Sequence, residues 1–198
     1  KQVNPSIAAL PDGGWVLSWQ GYDSYFDAKG TYYRWSLSQV AYEANGLLRY
    51  EGSVGSGRLD HHVYDAEVTP LGNGGWVVTW VEEGRESYPH GKDIYQQVFV
   101  STGSSITSPQ LVNRYTSGDQ WAAETTALAN GGWVTTWVSE GEDGSGAGIY
   151  QRAYDSSGAS VGVEMRVNSF TPGDQDNQKV TALSNGGWVV TWISRDQD

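Results

Sequence analysis

One pattern of apolar and polar positions recurs four times along the chain, as LPDGGWVLSW at Leu10 to Trp19, LGNGGWVVTW at Leu71 to Trp80, LANGGWVTTW at Leu128 to Trp137 and LSNGGWVVTW at Leu183 to Trp192. Its first Trp returns at steps of 61, 57 and 55 residues, longer than the usual helical repeats and slightly above the periods of common propeller blades. Before the pattern stands a strand-like stretch such as Lys179 to Leu183, and Asn185-Gly186-Gly187 then supplies residues that tolerate positive φ. Strand, tight turn and strand make a β-hairpin. Alternation along WVVTW sets Trp188, Val190 and Trp192 on one face and Val189 and Thr191 on the other, with almost no charge on either. Both faces are therefore expected to be covered.

Further strands follow in each unit. Third strands are read at Leu37 to Tyr42, Ile94 to Phe99 and Ile149 to Tyr154, and fourth strands at Pro109 to Asn113 and Val163 to Asn168. Four sequential antiparallel strands covered on both faces describe a propeller blade. The expected fold is all-β and propeller-like, in one domain of about three and a half four-stranded repeats. Its units run over 1–59, which is irregular, 60–118, 119–173 and the half unit 174–198. Uncapped terminal repeats expose apolar faces. The chain is thus expected to be part of a longer array, or to be completed by another copy as a homo-oligomer.

Composition agrees with short strands and tight turns: 198 residues hold 26 Gly, 10 Trp and 12 Tyr against 3 Phe, 1 Met and no Cys. Twelve basic and 23 acidic residues leave a formal charge of -11, which repels phosphate backbones and anionic lipid surfaces. Nucleic acid and membrane insertion are excluded as expectations. No run reaches the ~20 apolar residues that span a bilayer, and the first residues lack the regions of a signal peptide.

The repeats resemble those of very large secreted bacterial proteins of the RTX and adhesin type. The resemblance rests on Gly173-Asp174-Gln175, Val180 to Trp192, Asp143 to Gly146, Ile149 to Asp155 and Val167-Asn168, and weakens in the first unit at Gly30 to Trp35 and Leu47 to Leu59. It implies secretion or attachment to the bacterial cell surface, a module role, and proximity to calcium-binding repeats.

The eight repeated Trp residues read as shared core, since a position repeated in every blade is usually a packing position. Aromatic residues that break the repeat are better ligand candidates: Tyr22, Tyr25, Phe26, Tyr32, Tyr33, Trp35, Tyr88 and Trp121. Among them Tyr22, Tyr25, Tyr32, Tyr33 and Trp35 stand beside Asp23, Asp27 and Arg34, an arrangement that could stack on a sugar face and hydrogen-bond its hydroxyls. Glu140, Glu142 and Asp143 form the best oxygen-rich loop for a cation; calcium is the ion they would suit, although no EF-hand or RTX nonapeptide occurs and the fold is expected to need no cofactor. His61 and His62 beside Asp60 and Asp65, and the isolated His90, lack zinc-ligand spacing. No nucleophile elbow, Walker loop or dinucleotide fingerprint is present.

These features support an extracellular binding or display module that recognises a glycan or another cell-surface molecule. Two alternatives stand beside it: a carbohydrate-active hydrolase or lyase using loop carboxylates, and a structural spacer of a large adhesin. Carboxylate pairs for glycoside cleavage are defined by separation in space, so sequence alone does not identify them.

Overall fold

The computed structural model describes residues 1–27, 30–55, 62–84 and 91–197, with side chains outside 25–34. Its first sheet comprises β1 (Gln2–Ala9), β2 (Trp15–Asp27), β3 (Gly30–Tyr42) and β4 (Leu48–Val54). The second holds β5 (His62–Pro70), β6 (Trp76–Glu83), β7 (Lys92–Phe99) and β8 (Gln110–Leu111). The third holds β9 (Gln120–Ala127), β10 (Trp133–Glu140), β11 (Ala147–Tyr154) and β12 (Ser160–Arg166), and β13 (Gln175–Ala182) with β14 (Trp188–Ser194) forms a half-sheet. Strands pair antiparallel in chain order within every sheet. The expected all-β, propeller-like arrangement of three and a half four-stranded units is what the chain adopts.

The Asn-Gly-Gly turn owes its composition to two separate constraints. Gly131 has φ +84°, a left-handed conformation that costs most side chains free energy. At Gly132 a Cβ would lie 2.1 Å from the Tyr154 carbonyl oxygen on the third strand, so this position is small because the chain passes close by. Asn130 locks the turn by accepting from the Gly132 N–H at 3.0 Å.

At each of the three junctions the Trp face of one sheet packs on the Val face of the sheet before it. Trp76, Val78, Trp80 and Phe99 pack on Val16, Leu37, Ala41 and Val54 of the first sheet. Trp133, Trp137, Tyr150 and Tyr154 pack on Val77, Val81, Ile94 and Val98 of the second. In the second and third sheets each repeated indole stacks on a third-strand ring, as in Trp76 on Phe99 at 5.7 Å and Trp133 on Tyr154 at 5.3 Å. A latch repeats at every junction: Trp76, Trp133 and Trp188 donate through Nε1 to Gln39, Gln96 and Gln151 at 2.8, 3.0 and 2.8 Å. The third-strand Gln at this repeat position is therefore an acceptor for the next blade's first Trp.

The Val-Asn and Gly-Asp-Gln motifs form a second link between blades. Asn168 Oδ1 accepts from the Ile149 N–H at 2.8 Å, while its Nδ2 donates to Phe170 O and Gln175 Oε1 at 2.8 and 2.9 Å. Asn113 makes the same bonds to Ile94, Tyr115 and Gln120 one junction earlier. Each Asn thus ties its own third strand to the first strand of the following blade.

Burial departs from the sequence expectation at the ends of the array. Trp76, Trp80, Trp133 and Trp137 are at most 1% exposed, but Trp15, Trp19, Trp188 and Trp192 are only partly buried. Leu71 and Leu128 are buried, whereas Leu183, read as their equivalent, is 42% exposed. The cause is coverage, since among the described residues no sheet lies on the Val face of the half-sheet or on the Trp face of the first. β8 is also shorter than the five-residue strand read at Pro109 to Asn113; past it the Val112 N–H still donates to Ile94 O at 2.8 Å, and the Ile94 N–H turns to the Asn113 side chain.

Candidate functional site

The first strand of each blade is the inner one. β5 packs against β1, β2 and β3, β9 against β5, β6 and β7, and β13 against β9, β10 and β11. Every inner strand carries a bulge with one left-handed residue, Asn4, Asp65, Ala122 and Asn177, at equivalent positions eleven residues before the first Trp. Two residues further on stand Ser6, Glu67, Glu124 and Lys179. Ser6, Glu67 and Glu124 reach towards the following blade, and Lys179 reaches back to Glu124.

Their contacts form a row along the inner strands. The Val68 N–H donates to Ser6 Oγ at 3.1 Å, and the Thr125 N–H donates in the same manner to Glu67. Glu124 is paired with the Lys179 ammonium. Burial, followed by the charge of Glu124, pushes the Glu67 carboxyl up to about 7, against the opposing effects of Lys179 and the Thr125 N–H. A carboxyl that keeps its proton near neutrality therefore neighbours a carboxylate held by an ammonium group. Sequence reading missed both residues; the only signal was a charged residue recurring nine residues before the first Trp in three of the four units.

The aromatic residues named in the first unit are partly brought together. The Tyr22 ring lies 4.9 Å from Trp35, which lies 5.3 Å from His62. His62 Nδ1 is 3.0 Å from Tyr64 Oη, and that hydroxyl donates to Glu83 at 2.6 Å. Tyr25, Tyr32 and Tyr33 belong to the β2–β3 hairpin, but their side chains lie outside the described residues, as do Tyr88, Asp60, His61 and His90 entirely.

Glu140, Glu142 and Asp143 do not turn to a common centre. Glu140 accepts from the Asp119 N–H at 3.2 Å, Glu142 from Ser139 Oγ at 2.7 Å, and Asp143 from the Ser145 N–H at 3.1 Å. Among the described residues no group of three or more His, Asp or Glu is placed to hold a metal ion. Glu142 instead meets Glu164; burial first, with the Glu164 carboxyl adding to it, pushes Glu142 up to about 7 although Ser139 opposes the shift.

Both raised carboxyls link stability to pH. Glu67 and Glu142 bind protons in the folded chain at pH values where the unfolded chain, with an ordinary carboxyl near 4.5, has released them. The stabilisation is complete below about 4.5 and is lost as pH rises through about 7. Thermal unfolding across that interval should give a falling Tm, and the slope should flatten in a Glu67→Gln/Glu142→Gln double variant.

No protein-family model and no curated protein sequence matches the chain. Solved structures do. An α-L-arabinanase from Penicillium chrysogenum, complexed with arabinobiose, is 14% identical over 94% of this chain and 57% of its own, with a TM-score of 0.56. An endo-arabinase from Bacteroides thetaiotaomicron (16% identity, 98% and 70% coverage, TM-score 0.49) and an α-L-arabinofuranosidase from Lactobacillus brevis (10%, 92% and 61%, TM-score 0.46) also match. The chain spans less than two thirds of the Penicillium and Lactobacillus proteins. The likeness to the Penicillium enzyme establishes the fold, a β-propeller architecture, for this chain.

Proposed function

We propose that this chain is a carbohydrate-active propeller module acting outside the cell, with Glu67 and Glu124 as the acid and base of glycoside cleavage. The observation that carries the reading is their equivalent placement on neighbouring inner strands, where burial and the Glu124 charge push the Glu67 carboxyl up to about 7 while Glu124 is paired with Lys179. Glu67 would donate its proton to the leaving glycosidic oxygen while the Glu124 carboxylate assists the attacking water. Arabinan is the first substrate to test, because the Penicillium protein that shares the architecture is an arabinanase.

Reducing-sugar release from arabinan and arabino-oligosaccharides should fall by roughly 10²- to 10⁴-fold in Glu67→Gln, the usual contribution of general acid catalysis. Glu124→Gln should fall comparably, with Tm checked for both. Undiminished release in either variant would remove the pair from the mechanism. A second reading rests on the Tyr22–Trp35 pair beside His62, which offers ring faces next to hydrogen-bonding groups. If the wild-type chain binds glycans without cleaving them, and Trp35→Ala abolishes that binding in a folded protein, the molecule is a binding module.

A further inference from the structure

At corresponding places of two successive blade junctions a lysine is replaced by an alanine, and a cavity lies beside the alanine. Between the second and third sheets, Lys92 stands opposite Glu83 in the ladder. Its ammonium lies 5.5 Å from the Tyr64 ring centroid and 3.9 Å from the Asp119 carboxylate. That is an aromatic face and an anion around one cation.

One repeat later the frame is the same. Ala147 stands opposite Glu140 as Lys92 does opposite Glu83. Trp121 takes the register of Tyr64, the two lying opposite Val138 and Val81. Asp174 takes the place of Asp119, each accepting from the backbone N–H of the residue in question, Ala147 or Lys92, at 3.1 and 3.0 Å. Since alanine has no ammonium to offer, the space stays open. A cavity of about 220 Å³ is lined by Trp121, Glu140, Gly146, Ala147, Asp174 and Asp176.

Asp176 adds a group that the second junction lacks. Its Oδ2 is held by Arg195 at 2.6 Å, while its Oδ1 is buried with no hydrogen-bond partner. An unpartnered buried carboxylate oxygen calls for a donor. We infer that this cavity binds a primary ammonium group, seated over Trp121 among Glu140, Asp174 and Asp176 where the preceding junction seats the Lys92 ammonium. Lysine side chains and amino sugars share that chemistry. A protonated amine satisfies the cavity as a hydroxyl does not, because three carboxylates face it and Arg195 offsets one of them.

Three probes separate the sources: n-butylammonium for a lysine-like chain, glucosamine for an amino sugar, and N-acetylglucosamine as the uncharged control. Each is titrated against the whole chain at low ionic strength while the Trp121 indole N–H is followed by NMR, assigned with Trp121→Phe. Butylammonium or glucosamine should shift that resonance saturably with Kd on the order of 1 mM, and the tighter of the two identifies the source. Added salt should weaken the binding. Ala147→Lys, which rebuilds the arrangement of the second junction, should weaken it at least tenfold and raise Tm; Glu140→Gln should weaken it less. Equal binding of N-acetylglucosamine, no saturable shift with either amine, or unchanged binding in a folded Ala147→Lys protein would each overturn the assignment.

Discussion

Replacing Trp137 with alanine should lower the unfolding free energy by ~3–5 kcal/mol, while the same change at Trp192 should cost less than half as much. The two residues hold equivalent positions in the repeat, so the contrast isolates burial from sequence context. Trp137 is fully enclosed, stacked on Tyr150 at 6.4 Å and pressed on the Val face of the second sheet. Removing it leaves a hole between two sheets whose strands are fixed by ladders on both sides, and such a hole collapses only in part. Trp192 packs on Val138 and Ile149 of the third sheet, but it belongs to a two-stranded sheet whose other face is open. Water already reaches that element, and its loss can relax. Urea unfolding of the two variants measures the difference directly; equal costs would mean that coverage does not control the contribution of the repeated Trp.

That contrast also marks what the sequence could and could not convey. The turn and the two-faced strands were legible because each is encoded within about twenty residues, Asn130 to Gly132 for the turn and Trp133 to Val138 for the alternation, and the four-strand unit because its pattern recurs along the chain. The partial exposure of Trp188 and Trp192 was not legible, because burial depends on a neighbouring sheet and a repeat pattern is the same whether or not that neighbour exists. The Gly-Asp-Gln and Val-Asn motifs were visible as words without a meaning; only the junction shows Asn168 and Gln175 bonding across it. Glu67 and Glu124 stand 57 residues apart, so nothing local to either could have announced the pair. The cavity beside Trp121 was half legible. Trp121 drew notice as an aromatic outside the repeat, but the decisive residue is an alanine, conspicuous only beside Lys92 at the previous junction.

Asn168→Ala should cost roughly 3–5 kcal/mol, an effect as large as losing a core indole although the side chain is small and polar. Asn168 is 2% exposed and serves three partners that belong to different elements. Its removal leaves the Ile149 N–H without an acceptor and Gln175 Oε1 without this donor, each in a residue with no exposed surface. An orphaned buried group of this kind costs about 1–3 kcal/mol, because water cannot follow it inside. The damage should fall on the junction as well as on the total. Amide exchange along β13 is expected to accelerate more than exchange along β9, which Asn113 still holds. Asn168→Asp provides the finer discrimination, since a carboxylate can still accept from Ile149 but cannot donate to Phe170 O or Gln175 Oε1 and would stand near Asp143. That variant should be nearly as unstable as the alanine one at pH 7 and should recover part of the loss in acid, where protonation restores one donor and removes the charge. A clasp that matters only for shape would give the opposite result, with the near-isosteric Asp tolerated at every pH.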